Sequence, residues 1–325
     1  MLSTQDFRHR QIIFVFTMRG EYIGFRNDNI IVFDKDKKVK FQTSSYLLFA
    51  LFIVGSTKVT SGVLERARRF GYSIVFLTTN FRVYSIMNAQ AEGNTLLRRK
   101  QYSYTGFSIG SRIISNKIMN QREALTMIRR KDDKMKEAIG QLEEYSKTVK
   151  LLNGSCQEIM GYEGAASKIY FMQMFKDYTW TARRPRVKHD MTNCLLDIGY
   201  TMLFNIIDAL LAMYGFDTYE GVLHRPFFYR KSLTCDMIEP FRPIIDRSIR
   251  KAMNLGRVKE EDFYYRQNQY SLFGKKAVPY IYFLSEGILS YKSEIFLYIQ
   301  KYYRAFIRDK EMEEFPIFML GDNQC

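Results

Sequence analysis

The hydrophobic pattern of the chain changes once, near residue 90, and this change limits the possible folds more than any other feature. Before it, short apolar or alternating runs are broken by Gly, Asn and Asp, which is typical of β-strands joined by tight turns. These runs are "QIIFVFTMRG", "EYIGFRNDNIIVFD", "KVKFQT", "SYLLFALFIVG" and "YSIVFLTTNFRVYSIM". One helix is indicated among them, "TSGVLERARRFG", with Thr60 or Ser61 as its cap and Gly71 at its end. We predict a β-rich domain over residues 1–90.

Helical periodicity dominates after the polar segment "NAQAEGN", where we place the domain boundary. Apolar residues recur there at three- and four-residue spacing, which indicates amphipathic helices in "GSRIISNKIMNQREALTMIRRK", "DDKMKEAIGQLEEYSKTVKLL" and "SCQEIMGYEGAASKIYFMQMF". The segment "TNCLLDIGYTMLFNIIDALLAMYG" is apolar nearly all round and predicts a central buried helix. One last amphipathic helix is predicted in "EGILSYKSEIFLYIQKYYRAFIRDKEME". The predicted fold class is therefore α+β, a small N-terminal β-rich domain followed by a larger all-helical domain over residues 91–325.

The charge balance of the chain points to a polyanionic partner. Its 325 residues hold 49 Lys and Arg against 34 Asp and Glu, which gives a net charge of +15, and 46% are hydrophobic, enough for a folded core. Nucleic acid is the first expectation and an anionic membrane surface is the second. A basic enzyme whose charge only aids solubility is the alternative.

The cysteines and the apolar runs indicate in which cellular compartment the protein works. Four scattered cysteines with no CxxC pair argue against a zinc ribbon and a disulfide framework, and favour a reducing compartment. The apolar run near the N-terminus is too short for a signal peptide. The longest charge-free apolar run, "YLLFALFIV", is about half as long as a membrane-spanning helix. We predict a soluble, cytoplasmic protein with no membrane partner.

One stretch, "GVLHRPFFYRKSLTCDMIEPFRPIID", places His224, one of three histidines in the chain, ahead of two carboxylates. Asp236 and Glu239 are three residues apart, so on one helical turn they share a face and can share a cation. A neutral imidazole beside one or two carboxylates suits Mn²⁺ and, more loosely, Mg²⁺. From the spacing alone, a salt-bridged structural histidine is the more common alternative.

Two further features have a functional and a plain structural interpretation. Glu163, in "GYEGAASKIYF", is either another metal ligand or an exposed helical glutamate, and its chemistry alone favours the second. The segment "TARRPRVKHDMTN" gathers four basic residues with no acid among them, namely Arg183, Arg184, Arg186 and Lys188. Guanidinium groups bind phosphate oxygens in pairs, so this segment is either a nucleic-acid contact or a solvated loop.

The order of several segments resembles the CRISPR-associated integrase family that inserts new spacers, the Cas1 family. The resemblance rests on "GYEGAASKIYF", "TNCLLDIGYTML", "GFDTYEGVLH" and "SLTCDMIEPFRPIID", and it extends to "FALFIVGSTKVTSGVLERARRFGYSIVFL" and "IISNKIMNQREAL", so it covers nearly the whole chain. The metal-binding glutamate of the family falls on Glu163, its histidine on His224 and its last acidic ligand on Glu239. Asp236 matches the aspartate of the SLxxD motif, which some branches count among the metal-site residues. The chain departs from commoner members by an aromatic insertion after the histidine, Pro226, Phe227 and Phe228.

The resemblance implies a DNA integrase. The 3′-hydroxyl of a prespacer DNA attacks a phosphodiester at the edge of a CRISPR repeat, with Mg²⁺ or Mn²⁺ held by Glu163, His224 and Glu239. Asp236 is expected to orient His224 or to hold a metal-bound water. The basic residues expected to hold DNA phosphates around this centre are Arg225, Arg230, Lys231 and Arg242.

The resemblance also implies an assembly. The β-rich domain is expected to pair two subunits into a homodimer, and a dimer of the small partner Cas2 bridges two such homodimers in the prokaryotic cytoplasm. Some systems add a Cas4 nuclease that trims the DNA. Two alternatives to the integrase are kept. One is a metal-dependent endonuclease that only hydrolyses DNA, and the other is a DNA-binding scaffold without catalysis.

Overall fold

The computed structural model describes residues 9–79, 83–88, 94–152 and 155–321. The chain divides into two compact units. The first comprises Met1–Thr95 with Asp208–Phe216, and the second comprises Leu96–Ile207 with Asp217–Cys325. Most of the predicted boundary segment, residues 89–93, lies outside the described residues, as do the first eight residues used in the signal-peptide argument.

The larger core sheet of the first unit has four strands in the order β1-β5-β7-β8. The strands are β1 Gln11–Phe16, β5 Leu48–Val54, β7 Ser73–Leu77 and β8 Val83–Met87. The first three run parallel and β8 pairs antiparallel with β7. All seven residues of β5 are buried. A central strand covered on both faces is continuously apolar, which explains the run "LFALFIV" in the sequence.

The second sheet of this unit is formed largely by antiparallel neighbours, in the order β4-β3-β2-β6. Its strands are β2 Tyr22–Arg26, β3 Asn29–Phe33, β4 Val39–Ser44 and β6 Lys58–Val59. Helix α1 (Ser61–Phe70) follows, with Thr60 as N-cap and Gly71 ending it in the left-handed conformation, as the sequence predicts. The core of the unit packs apolar residues of both sheets against this helix, including Ile23, Leu51, Val63 and Ile74.

Helices make up most of the rest of the chain. Their bounds are α2 Thr95–Ser103, α3 Ser108–Thr126, α4 Asp133–Leu151, α5 Cys156–Met174, α6 Met191–Tyr214, α7 Ser232–Ile238, α8 Arg242–Asn254, α9 Val278–Leu289 and α10 Lys292–Ile307. A 3₁₀ turn, Glu239–Phe241, joins α7 to α8. The α+β class predicted from the sequence is therefore confirmed, with a strand-rich first part and a mostly helical second part.

The division into two units separates the end of α6 from the rest of that helix, and the domain ranges 1–90 and 91–325 stay a prediction. The end of α6, from Asp208 onwards, belongs to the first unit. Side chains before α2 hold it there, because the Asn88 amide donates to Asp208 Oδ2 (3.0 Å) and the Asn94 amide donates to the Tyr214 carbonyl (2.9 Å). These bonds span about 120 residues of sequence, which a local pattern does not reveal.

Two details of the second unit also differ from the sequence predictions. A short antiparallel hairpin, β9 Tyr264–Arg266 with β10 Gln269–Ser271, interrupts the helical part. Its two turn residues, Gln267 and Asn268, both have positive φ, as a tight hairpin requires. The single last helix of the prediction is two helices, α9 and α10. They part at Ser290, whose hydroxyl donates to the Gly287 carbonyl (2.8 Å) and so competes with helix continuation.

Helix α6 confirms the prediction of a central buried helix. By length and composition it is the one helix in the described part of the chain that could cross a membrane. However, 83% of its most apolar window is buried inside the protein, which is typical of a core helix.

Candidate active site

A lysine ammonium in the second unit contacts two of the predicted metal ligands. Lys117 lies on α3 and is 5% exposed. Its Nζ forms ion pairs with Glu163, from α5, and with Glu239, from the 3₁₀ turn. Glu239 Oε2 lies 2.6 Å from this nitrogen, a close contact between opposite charges. Two carboxylates far apart in sequence are thus neighbours around one positive charge.

The predicted histidine is held by the predicted aspartate. Asp236 is fully buried on α7, and its Oδ1 lies 2.6 Å from His224 Nδ1. The same carboxylate accepts the backbone N–H groups of Val222 (2.7 Å), Leu223 (3.1 Å) and His224 (3.1 Å). The hydrogen bond to Asp236 raises the pKa of His224, against the opposing effect of burial. Because Nδ1 donates to Asp236, the orientation of the ring is fixed and Nε2 is the nitrogen left for a ligand.

Gly221 allows the backbone to wrap around Asp236 in this way. A Cβ atom at this position would lie 2.5 Å from the His224 carbonyl oxygen and 2.7 Å from Asp236 Oδ2. Both distances are shorter than real Cβ contacts, so only glycine fits. The Gly-x-x-His spacing in the sequence therefore has a steric cause.

Glu239 is buried and ionised. Burial alone would raise the pKa of its carboxyl, but the charges of Arg242 and Lys117 outweigh burial and lower the pKa to about 2. Arg242 Nε donates to Glu239 Oε1 (2.9 Å), and its guanidinium lies over the Tyr200 ring, 4.5 Å from the centroid. The predicted phosphate-binding role of Arg242 is thus accompanied by a structural one, since this arginine helps to keep Glu239 charged.

The predicted ligands lie in one region but line two cavities. Glu163 and Glu239 line a cavity of about 500 Å³, together with Lys117 and Arg242. His224 lines another of about 370 Å³. The charges of Glu239 and Glu163 also act on the His224 ring and favour its protonation. Among the residues that the structure describes, no three His, Cys, Asp or Glu side chains form a closed group around one ion position.

The donor set nevertheless fits a divalent cation in kind. Two carboxylates and an imidazole nitrogen are ligands that Mn²⁺ and, less readily, Mg²⁺ accept. The ammonium of Lys117 shows that a positive charge is already stabilised between the two carboxylates. Sequence reasoning missed Lys117, although a lone lysine within the apolar helix segment "IISNKIMNQ" was a signal that could have been followed.

A second buried carboxylate, Asp246 on α8, lines the same cavity as Glu163 and was also missed. It accepts hydrogen bonds from the hydroxyls of Tyr200 (2.5 Å) and Tyr170 (2.9 Å). Burial raises the pKa of Asp246 to about 6, although both tyrosine hydrogen bonds act in the opposite direction. These bonds tie α5, α6 and α8 together beside the candidate site.

The arginine-rich segment before α6 is partly structural. The Arg183 guanidinium donates to Asp197 Oδ1 (2.6 Å) and to the Asn193 side chain (2.9 Å). An acidic partner for Arg183 is thus supplied by Asp197 of α6. Arg184 and Arg186 are exposed and Lys188 is half-buried, so DNA binding by these residues stays a prediction.

The other predicted phosphate-binding residues lie around His224. Arg225 is exposed, and Arg230 and Lys231 are half-buried. The Arg230 guanidinium donates to the Arg225 carbonyl, and its Nε donates to the Ser232 hydroxyl (3.3 Å). The structure therefore places a basic rim beside the cavity of His224.

Comparison with known sequences places the chain among CRISPR-associated proteins. A family model described as CRISPR associated protein Cas1 matches residues 14–279. The chain belongs to the Cas1 family. It is similar to the CRISPR-associated endonuclease Cas1 1 of Thermodesulfovibrio yellowstonii, with 31% identity over 242 residues that cover 69% of this chain and 74% of the relative. A CRISPR-associated exonuclease Cas4/endonuclease Cas1 fusion of Geobacter sulfurreducens is 28% identical over 68% of this chain and 42% of the fusion.

Solved structures share the fold. A chain of a Cas6-RT-Cas1--Cas2 complex matches with a TM-score of 0.79 and 21% identity, covering 95% of this chain. The match covers 36% of that longer chain, so the present chain spans about a third of its length. A casposase bound to integration product matches with a TM-score of 0.78 and 18% identity, over 93% of this chain and 92% of the casposase.

Proposed function

We propose that the protein is a DNA integrase that inserts prespacer DNA into a CRISPR array by 3′-hydroxyl transesterification. Family membership supports a role in CRISPR systems, and the fold shared with a casposase bound to integration product agrees with strand joining. The observation that carries the proposal is the cluster itself. Glu163 and Glu239 both form ion pairs with the Lys117 ammonium. In the same region, buried Asp236 binds Nδ1 of His224 and leaves Nε2 available as a ligand. The net charge of +15 suits a DNA substrate.

The chain's own residues prepare the site in separate ways. Asp236 holds the Nδ1 proton of His224, so that Nε2 is presented as a ligand. Arg242 and Lys117 keep Glu239 in its charged, ligand-competent form. Glu163, His224 and Glu239 would hold a divalent cation, Mg²⁺ or Mn²⁺, which would supply electrostatic activation of the scissile phosphate. No protein nucleophile is required, because the DNA provides its own 3′-hydroxyl.

The proposed assembly follows the family. A homodimer formed through the β-rich unit, bridged in pairs by a Cas2 dimer, would place two active sites at the two ends of one repeat. The structural match to a Cas6-RT-Cas1--Cas2 complex supports a Cas2 partner. The Cas4/Cas1 fusion supports a Cas4 nuclease as a further partner in some systems. Cytoplasmic location in a prokaryote is part of this proposal.

A strand-transfer assay tests the proposal. A labelled DNA donor with a 3′-hydroxyl is incubated with a CRISPR-repeat substrate, Mn²⁺ and the full chain with Cas2. We expect joined products with the unmodified protein and with Glu158→Ala, and almost none with Glu163→Ala. Glu158 is the matched control because it is an exposed glutamate on the same helix, α5.

Two other outcomes would replace the proposal. Hydrolysis products without joined products would favour an endonuclease, the activity named for the Thermodesulfovibrio relative. Binding of branched DNA without Mn²⁺-dependent joining or cleavage would leave only a DNA-binding scaffold.

A further inference from the structure

The loop that follows His224 displays three consecutive aromatic side chains to solvent. Phe227, Phe228 and Tyr229 are 71%, 78% and 82% exposed. A fully buried aromatic side chain removes roughly 150–250 Å² from water, so displaying three together is unfavourable unless they have a partner. Arginines flank the three rings on both sides, at Arg225 and Arg230.

The loop is held in a defined conformation. The Arg230 N–H donates to the Phe227 carbonyl (2.9 Å), which closes a turn with Phe228 and Tyr229 at its tip. The Arg230 side chain and the Ser232 hydroxyl both donate to the Arg225 carbonyl and brace the base of the turn. Tyr229 has a φ of 59°, a left-handed conformation that suits Gly or Asn far better than an aromatic residue. An aromatic residue at this position of the turn therefore has an unfavourable backbone conformation.

The position of the loop connects it with the candidate active site. Arg225 and Arg230 line the cavity of about 370 Å³ that His224 also lines. This volume lies at the low end of the roughly 300–1,000 Å³ of small-ligand sites. The same cavity is also lined by Cys156 and Gln157, from the first turn of α5, the helix that also carries Glu163. The aromatic tip lies between these two arginines in the sequence, so it is adjacent to the rim of the cavity.

The chemistry of the loop favours unpaired nucleotides over a protein partner. Three aromatic side chains offer at most roughly 450–750 Å² of contact, less than the roughly 800 Å² per partner of a stable protein interface. Single-stranded nucleic acid is bound by this combination of features, because aromatic faces stack on bases and arginines hold phosphates. Bases within a duplex already stack on both faces, so an aromatic tip selects unpaired ones.

We propose that residues 225–230 form a base-stacking clamp for a single-stranded DNA end, with Phe228 and Tyr229 stacking on unpaired bases and Arg225 and Arg230 contacting the adjacent phosphates. The choice of DNA rests on the proposed integrase function. The clamp holds the strand end beside His224, and it acts by positioning rather than by chemistry.

Binding in the absence of metal tests the clamp separately from catalysis. Fluorescence anisotropy in EDTA would compare an oligothymidylate of about 15 nucleotides with a blunt duplex, both labelled, on the full chain. For Phe228→Ala combined with Tyr229→Ala, we expect the affinity for the single strand to fall roughly 10- to 100-fold, while duplex binding is unchanged. The variant Phe228→Tyr with Tyr229→Phe keeps both rings and should bind as the unmodified protein does.

A matched control and a second readout make the outcome decisive. Tyr282 on α9 is also 71% exposed, and Tyr282→Ala should leave both affinities unchanged. A 2-aminopurine base near the strand end should lose fluorescence on binding the unmodified protein and keep it with the double alanine variant, because stacking quenches it.

Specific results would overturn the clamp. Equal losses on single strand and duplex would show a general electrostatic effect, and unchanged single-strand affinity would exclude stacking. A change in oligomeric state by light scattering, with DNA binding intact, would identify the tip as a protein contact. If the unmodified protein fails to join strands while the single-strand loss persists, the clamp stands and the integrase proposal falls.

Discussion

Two buried carboxylates on the same stretch of chain, Glu239 and Asp246, have opposite ionisation behaviour. Both are almost fully buried, at 4% and 1% exposure. Glu239 faces two cations, Lys117 and Arg242, and its pKa falls to about 2. Asp246 faces two neutral tyrosine hydroxyls, and its pKa rises to about 6.

The comparison shows that the groups next to each carboxyl, rather than burial alone, decide whether that carboxyl is charged. Burial raises the pKa of both carboxyls, but only the two nearby cations at Glu239 reverse the effect. Glu239 is therefore suited to bind a further cation, whereas Asp246 is suited to hold helices together. Four substitutions test these two roles, cation binding by Glu239 and attachment of helices by Asp246.

The largest effect is expected from Glu239→Gln, which removes the charge and keeps the shape. Loss of a ligand charge costs several kcal/mol of transition-state stabilisation, so strand transfer should fall on the order of a thousandfold. DNA affinity should change little, since the residue is buried. Asp246→Asn serves as the matched control and should retain most activity. Equal activity losses in the two variants would contradict the division of roles.

Lys117→Met removes the cation between Glu163 and Glu239. Glu239 then keeps only Arg242 as a counter-charge, and the half-buried Glu163 loses its ion-pair partner. The metal-free protein should therefore lose up to about 3–5 kcal/mol of stability. Mn²⁺ should restore more stability to this variant than it adds to the unmodified protein, because the cation takes over the role of the ammonium. Thermal unfolding in EDTA and in Mn²⁺ measures both effects. An equal response of the two proteins to Mn²⁺ would argue against a metal position between the glutamates.

Asp246→Asn should change how stability depends on pH. The folded-state pKa of Asp246 is raised from 3.8 to about 6, so the folded protein binds this proton more tightly than the unfolded chain does. Its stabilising contribution is complete below about pH 4 and is lost as the pH rises to about 6. The asparagine variant should therefore gain stability relative to the unmodified protein over this range, by up to about 3 kcal/mol. Melting temperatures of both proteins between pH 4 and 7 would show it, and a constant difference across the range would refute it.

The smallest effect is expected from Tyr200→Phe, which removes one hydrogen bond to Asp246. Loss of a hydrogen bond to a charged group costs roughly 1.5–3 kcal/mol, and the cost should appear mainly above pH 6, where Asp246 is ionised. The pKa of Asp246 should rise further, because this bond lowers it. The same melting series measures the shift, and Tyr282→Phe at an exposed position on α9 is the control for a generic loss of a hydroxyl. A downward shift of the pH transition would contradict the assignment.

Local sequence patterns predicted most of the fold. Alternating and continuous apolar runs located the strands, and three- and four-residue spacing located the long helices, because these periods follow directly from backbone geometry. The break at Ser290 was missed because the helical periodicity continues across it, although the Ser290 hydroxyl bonds the Gly287 carbonyl there.

The candidate site was only partly predictable. His224, Asp236 and Glu239 were predicted from their spacing, and the family resemblance added Glu163 to them; metal binding by these residues stays a prediction. Lys117 was missed because its partners lie on distant segments of the chain and nothing near it in sequence is acidic. Arg183 was expected to be free for DNA, and its ion pair with Asp197 depends on where the preceding loop returns to α6. Charge pairing across tertiary contacts does not leave a local pattern.

Gly221 gives the arrangement an unusual vulnerability. The position contributes no functional group, yet one added methyl would push on the carbonyl of His224 and on the carboxylate of Asp236 at the same time. Replacing one hydrogen atom of Gly221 by a methyl group would thus displace the backbone that supports the imidazole. The geometry of the site therefore depends on the absence of a side chain at Gly221 as much as on the side chains around it.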